Sequence, residues 1–183
     1  YPEAVKLIAK RVNIEVPSVP MSDDERRAMD EREALLLVNK RAHAFYVDML
    51  AGDTGASSWL AGRGLSAEMI AEFRLGYAPD GNKLCVMGAN GTLNQKAAEQ
   101  LALIKRNERG GNYDAFRDRV VYPFLSNSGN IIGFTGRKMN WNKGDATAKF
   151  LNSDESALFK KDRAIFGLFQ AKRHIAKHDR VYW

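Results

Sequence analysis

Residues 116–138, FRDRVVYPFLSNSGNIIGFTGRK, decide the fold class. Val120 to Leu125 form an apolar run that stops at the polar stretch Ser126-Asn127-Ser128-Gly129-Asn130, and Ile131, Ile132, Gly133 and Phe134 resume it. Two β-prone runs around a glycine-bearing turn predict a β-hairpin. Pro123 lacks an N–H, which predicts an edge or bulged position for it. Gly133 and Gly136 admit close approach by a ligand or another backbone, with plain tight packing the commoner cause. Arg117 and Arg119 precede the first strand at alternate positions, so they are predicted to share a face, with Arg137 closing the second strand nearby. Guanidinium forks match phosphate oxygens in two-point contacts, so this trio reads as a track for a nucleic-acid backbone. The competing reading is local pairing with Asp114 and Asp118, which is favoured for Arg119.

The hairpin runs directly into residues 136–167, GRKMNWNKGDATAKFLNSDESALFKKDRAIFG, which gather Arg137, Lys149, Asn152 and Lys161 in one polar stretch. Such a stretch is either a cationic cradle for phosphates or a solvated surface loop. Within it, Lys149 to Ser153 read as an extended segment. Alternation turns Lys149, Leu151 and Ser153 one way and Phe150 and Asn152 the other. A ring beside an amide is the pairing needed to stack on a base and hydrogen-bond its edge. Phe150 as a core residue is the alternative.

Upstream, the pattern is helical. Residues 2–11 predict a short helix, and Asn13 to Pro20, with two prolines, an extended linker. Ser22 is the expected N-cap of a long helix to about Leu50, with Asp23, Asp24 and Glu25 in its first turn, where the helix dipole favours acids. Leu35, Val38, Ala42, Phe45 and Met49 are its expected core face. The segment from Ser57 to Gly81 predicts helix, tight turn at Gly62-Arg63-Gly64, and a second helix capped by Ser66 with Met69, Ile70 and Phe73 turned inward. Another helix is expected over Asn94–Ile104, and a last one from Phe166 to His178, before Arg180–Trp183 open a strand. The fold class is therefore α+β, a helical N-terminal half followed by a small twisted, mainly antiparallel sheet with flanking helices.

With 183 residues, 45% of them hydrophobic, the chain is long enough for one full core or two small ones. No apolar stretch reaches the roughly 20 residues that cross a bilayer, and the first residues lack a signal peptide's apolar core. A cytoplasmic protein with no membrane partner is expected. One cysteine, Cys85, and three scattered histidines exclude a disulfide framework and a paired-ligand zinc site, so Cys85 is expected to be a small buried residue. Charge is uneven. Residues 1–100 hold 12 Lys/Arg and 14 Asp/Glu, whereas residues 101–183 hold 16 and 8. A basic second half favours a polyanionic partner.

FRDRVVYPFL, GNIIGFTGRK, KFLNS and LFKKDRAIFGL, in this order and preceded by RGLS and FRLGYAP, resemble bacterial replicative DNA primases of the DnaG type. The resemblance covers most of the chain. It implies the N-terminal subdomain of a primase catalytic core over 22–183, helical over 22–110 and mixed over 111–183, with residues 1–21 a helix and linker from a preceding zinc-binding domain. It places Arg63 on a basic groove, beside the alternative that Arg63 merely caps the helix before it. It implicates the segment at Lys149–Ser153 in contacts with template or incoming nucleotide. Here Phe150 stands where the family usually has tyrosine, Ala148 where proline is common, and WNKGDATA lengthens the connection from Arg137. The candidate nucleic-acid and nucleotide contacts are thus Arg63, Arg117, Arg137, Lys149, Phe150, Asn152 and Lys161.

The implied activity is RNA primer synthesis on single-stranded DNA from ribonucleoside triphosphates. The implied metals are Mg or Mn, held by carboxylates of a Toprim domain after Trp183, and Zn in the preceding domain. A replicative helicase would bind a further C-terminal domain. The carboxylate motifs themselves are absent from this sequence, so the chain alone is expected to be inactive. Two rivals stand beside this reading: a stand-alone single-stranded nucleic-acid-binding module, and a scaffold whose long helix engages a partner.

Overall fold

The computed structural model describes residues 22–178 together with Ala9 and Arg11. Ala9 and Arg11 are helical, while the rest of the helix predicted over 2–11, the linker over 13–20 and the strand over 180–183 lie outside the described residues. Residues 1–31 and 32–183 form two compact units.

Helix α1 (Asp23–Gly52) starts where the sequence signals it. Glu25 N–H donates to Ser22 Oγ at 3.2 Å and Ser22 N–H to Glu25 Oε2 at 2.9 Å, a reciprocal capping box. Leu35, Val38 and Ala42 are buried as predicted, but Tyr46 and Leu50 occupy the core in place of Phe45 and Met49. A 3.6-residue period carries the stripe from 42 to 46 to 50, leaving Phe45 and Met49 on its flanks. Asn39, on the same stripe, donates from Nδ2 to Ile131 O at 3.1 Å.

The predicted helix, turn and helix follow as α2 (Thr54–Ala61) and α3 (Ala67–Glu72), capped by Asp53 and Ser66. Ile70 and Phe73 pack inward, whereas Met69 is exposed. After β1 (Gly76–Ala78) come α4 (Lys83–Ala89) and α5 (Gln95–Gln100). The helix expected over Asn94–Ile104 stops short, because Ala102 turns the chain at φ 52° and Leu103 N–H folds back to Ala98 O. Ile104 instead opens β2 (Ile104–Arg106), which pairs with β3 (Asn112–Asp114). Cys85 is only partly buried, against the core rather than inside it.

The predicted hairpin is β4 (Arg119–Leu125) and β5 (Ile131–Lys138), its turn closed by Ser126 N–H to Asn130 O at 2.8 Å with Gly129 at φ 82°. β6 (Phe150–Asn152) completes an antiparallel sheet in the order β1-β4-β5-β6, and α6 (Leu168–His178) follows. β4 is internal, yet β1 reaches only Arg119–Val121, so Pro123 stands beyond that pairing and beside a bulge at Phe124/Leu125.

Each sheet face carries a core, with β6 left open at the edge. Val121 and Phe134 join Leu35, Val38, Tyr46 and Phe116 in one core, and Val120 joins Leu50, Leu60, Leu75 and Tyr77 in the other. The sheet glycines serve this packing. A Cβ on Gly136 would lie 2.7 Å from the Phe116 ring, and one on Gly133 3.0 Å from Phe159. The approach admitted by those glycines is therefore made by core rings.

Candidate nucleic-acid interface

Strand pairing sets the site. Arg137 lies opposite Phe150 on one side and Val120 on the other, and Thr135 lies opposite Asn152, so Arg137, Phe150 and Asn152 rise from the same sheet face. The alternation read from the sequence holds from Phe150 onward: Leu151 packs inward, Ser153 is buried with its Oγ accepting Phe134 N–H at 2.9 Å, and Phe150 is 55% exposed. It fails for Lys149, expected on the Leu151 side, which precedes β6 and reaches its Nζ over the Phe150 ring. Phe150 is thus a surface ring.

Rings and cations alternate across this face. The Arg63 guanidinium lies 3.8 Å from the Trp59 ring centre, and the Arg137 guanidinium lies 5.4 Å from Trp59 and 5.3 Å from Phe150. Lys149 Nζ lies 5.7 Å from Phe150 and 5.5 Å from Trp141. Each contact is within the range of cation–π attraction, about 0.5–1 kcal/mol at an exposed site. Both indoles are anchored through Nε1, Trp59 to Met139 O and Trp141 to Thr147 O, each at 3.0 Å. No ion pair among the described residues involves Arg63, Arg137 or Lys149. Arg137 Nε is moreover buried with no hydrogen-bond partner. Burial raises the Tyr122 pKa, and the charges of Arg137 and Arg63 oppose that rise, which places both guanidinium fields on one hydroxyl.

Arg63, Arg137, Lys149, Phe150 and Asn152 are therefore neighbours, whereas Arg117, Arg119 and Lys161 are not part of this stack. Arg117 and Arg119 line one recess of about 400 Å³ with Asp118 and Lys138, although strand alternation is not what brings them there. β4 begins at Arg119, and Asp118 just before it sits at φ 51°, which breaks the alternation. Arg117 also lies 5.2 Å over the Tyr113 ring and lines an open recess of about 740 Å³ with Asn82, Arg106, Arg109 and Asn112.

Arg119 is only 5% exposed and donates to the carbonyls of Ala148 at 2.7 Å, Lys149 at 3.2 Å and Gly136 at 3.4 Å. Its hydrogen bonds go to carbonyls rather than to the expected Asp114 or Asp118, although the nearby charge of Asp118 favours the charged guanidinium against its burial. Asp114 caps α4, accepting from Leu84 N–H at 2.7 Å and Cys85 N–H at 2.9 Å. Asp118 accepts from the Tyr77 hydroxyl at 3.4 Å. Lys161 is exposed on the turn after β6, its N–H donating to Glu155 Oε1 at 3.3 Å.

Two members of the stack escape sequence reading. Trp141 lies inside the cationic run, where an aromatic among charges was the available signal. Trp59 had none, since it joins the site across 80 residues. Among the described residues no group of three His, Cys, Asp or Glu is placed to hold a metal ion, and no helix is long and apolar enough to cross a membrane.

Comparison with known proteins adds the family. Residues 45–172 match the family described as DNA primase catalytic core, N-terminal domain. DNA primase of Pseudomonas putida is 36% identical over 187 residues, covering 99% of this chain and 28% of the primase, so the chain spans less than a third of that relative's length. A DnaG primase catalytic domain bound to ssDNA superposes with a TM-score of 0.71 at 35% identity, over 80% of this chain and 47% of that one. The zinc-binding and RNA polymerase domains of Aquifex aeolicus primase superpose with a TM-score of 0.72 at 29% identity, over 96% and 40%. Motif order, α+β fold and family match agree, and the chain belongs to the DNA primase catalytic core family, in its N-terminal domain.

Proposed function

We propose that this chain is the part of a DNA primase, a DNA-directed RNA polymerase that makes short RNA primers for replication, that holds single-stranded template and the phosphates of ribonucleoside triphosphates. The observation that carries this reading is the stack Arg63–Trp59–Arg137–Phe150–Lys149, in which Arg63 and Phe150 are exposed and the other three half-buried. Its cations are free of carboxylate partners and so available to phosphates, and its rings offer faces to unpaired bases. Asn152, beside Phe150 on the same face, supplies an amide for a base edge. Arg117, with Arg106 and Arg109, gives the strand's backbone a second basic recess, and Lys161 adds a further exposed charge.

In this reading residues 1–21 connect to a zinc-binding domain and residues 22–183 form the N-terminal subdomain of the catalytic core. Divalent Mg or Mn would neutralise the triphosphate and position the attacking hydroxyl. The described residues do not fit those ions, because they present no carboxylate cluster, so the ligands and the transfer step belong to another part of the protein. A replicative helicase is the expected partner of a C-terminal domain, and the bacterial cytoplasm the expected location. The stand-alone binding module is not favoured, since the family matched is that of a catalytic core.

The test is a titration of a fluorescent single-stranded oligonucleotide at several salt concentrations. Affinity should fall steeply with salt, with a logarithmic slope of about −0.7 per neutralised phosphate. Arg137→Ala and Lys149→Ala should each weaken binding several-fold. Salt-independent binding, or none at low ionic strength, overturns the reading.

A further inference from the structure

The loop between β5 and β6, residues 139–149, carries a ring with no assigned role. Lys149 Nζ is shared between two aromatic faces, Phe150 at 5.7 Å and Trp141 at 5.5 Å. Phe150 stands on the sheet, whereas Trp141 is brought to the same ammonium by the loop alone.

The loop is built to hold it there. Trp141 Nε1–H donates to Thr147 O at 3.0 Å, which fixes the indole across the loop's two limbs. Asn142 N–H donates to Asp145 Oδ2 at 3.1 Å, Asp145 N–H returns to Asn142 O at 3.1 Å, and Asn142 Nδ2 donates to Asn140 O at 3.2 Å. Lys138 Nζ ties Thr147 Oγ1 back to the sheet at 3.0 Å. At the base of the loop, Arg119 holds the carbonyls of Ala148 and Lys149. A loop needed only to connect two strands has no use for a pinned tryptophan, which is only partly buried and joins neither core.

We propose that Trp141 is a second base-stacking residue for the unpaired strand, adjoining Phe150, and that Lys149 covers both rings in the free protein and leaves them for a phosphate when the strand arrives. The chemistry is complementary on both sides. A single strand brings one phosphate for each base, so the ammonium exchanges a ring face for an anion at the step where the ring gains a base. A base stacks on an aromatic ring more strongly than an exposed ammonium is held over one, so the exchange runs toward the bound strand. This inference rests on the reading of the stack as a single-strand site.

The test compares wild type, Trp141→Ala, Trp141→Phe and Arg137→Ala in the 183-residue chain, with an oligodeoxythymidine and with inorganic polyphosphate, which carries charge but no bases. Circular dichroism melting runs alongside. Trp141→Ala is expected to weaken oligonucleotide binding about tenfold while leaving polyphosphate binding within about twofold, as one lost stack implies. Trp141→Phe should recover most of the loss, and melting should stay within a few degrees in both variants. Equal loss toward both ligands would mean that Trp141 acts only by holding Lys149, and unchanged oligonucleotide affinity would mean that it is not a contact. Either result overturns the inference and leaves the single-strand reading standing, provided Arg137→Ala weakens the oligonucleotide. Failure of wild type to bind the oligonucleotide removes both.

Discussion

Arg119 and Arg137 stand on neighbouring strands one row apart in the ladder, Arg119 opposite Lys138 and Arg137 opposite Val120. The ladder gives them opposite faces and opposite work. Arg119 lies under the sheet and spends its guanidinium on three backbone carbonyls, two of which, Ala148 and Lys149, lead into β6. Removing it takes the side-chain donor from Gly136 O and Ala148 O, while Lys149 O keeps the Lys138 N–H, and it empties the space of a buried guanidinium; a group left unsatisfied costs about 1–3 kcal/mol. Arg119→Ala is therefore expected to cost about 1–3 kcal/mol in urea unfolding. Arg137→Ala removes cation–π contacts and one unpaired Nε, and should cost under about 1 kcal/mol while weakening DNA binding. If the two stabilities change alike, the division of labour is wrong. Sequence periodicity correctly put Arg137 at the end of a strand and Phe150 on its outward side. It also put Arg117 and Arg119 together, and they do line one recess, but not by alternation, which holds only inside a strand; the positive φ of Asp118 is not written in residue type. The burial of Arg119 was equally illegible, since its acceptors come from carbonyls 17 to 30 residues away.

At the scale of elements, the long helix and the sheet meet at one tight point. A Cβ on Gly76 in β1 would fall 2.6 Å from Tyr46 Cβ and 2.8 Å from the Tyr46 backbone carbon in α1. Backbone cannot rotate aside as a side chain does, so Gly76→Ala must part helix from strand. Overpacking of this kind costs about 1–3 kcal/mol, and urea unfolding should show a loss in that range. An unchanged midpoint would mean that the two elements slide without penalty. The elements themselves were the most legible part of the chain. Ser22, Asn94 and Ser66 announce their helices because capping is local chemistry, and all three accept backbone hydrogen bonds as N-caps. Helix ends were harder. The helix after Asn94 was read through to Ile104, whereas the left-handed turn at Ala102 stops it; alanine, the strongest helix former, carries no warning of that turn.

At the scale of the whole molecule, the chain carries a group of cations without a carboxylate cluster among its described residues. The purified 183-residue chain should incorporate no ribonucleotide on a DNA template with magnesium or manganese, and templated product from it would refute the division of roles proposed above. The site is also split between the halves of the sequence. Trp59 and Arg63 come from α2 and the turn after it, while Arg137, Lys149 and Phe150 come from the sheet, with Trp59 reaching Met139 across 80 residues. Local helices form in about a microsecond, but a contact of that separation waits for the chain to close a long loop. The face proposed to bind the strand is consequently incomplete in species that have formed only local helices. During synthesis, a nascent chain that has released only its helical half would lack that face, and on the proposed reading the capacity to hold DNA would arrive in one step with the docking of the sheet.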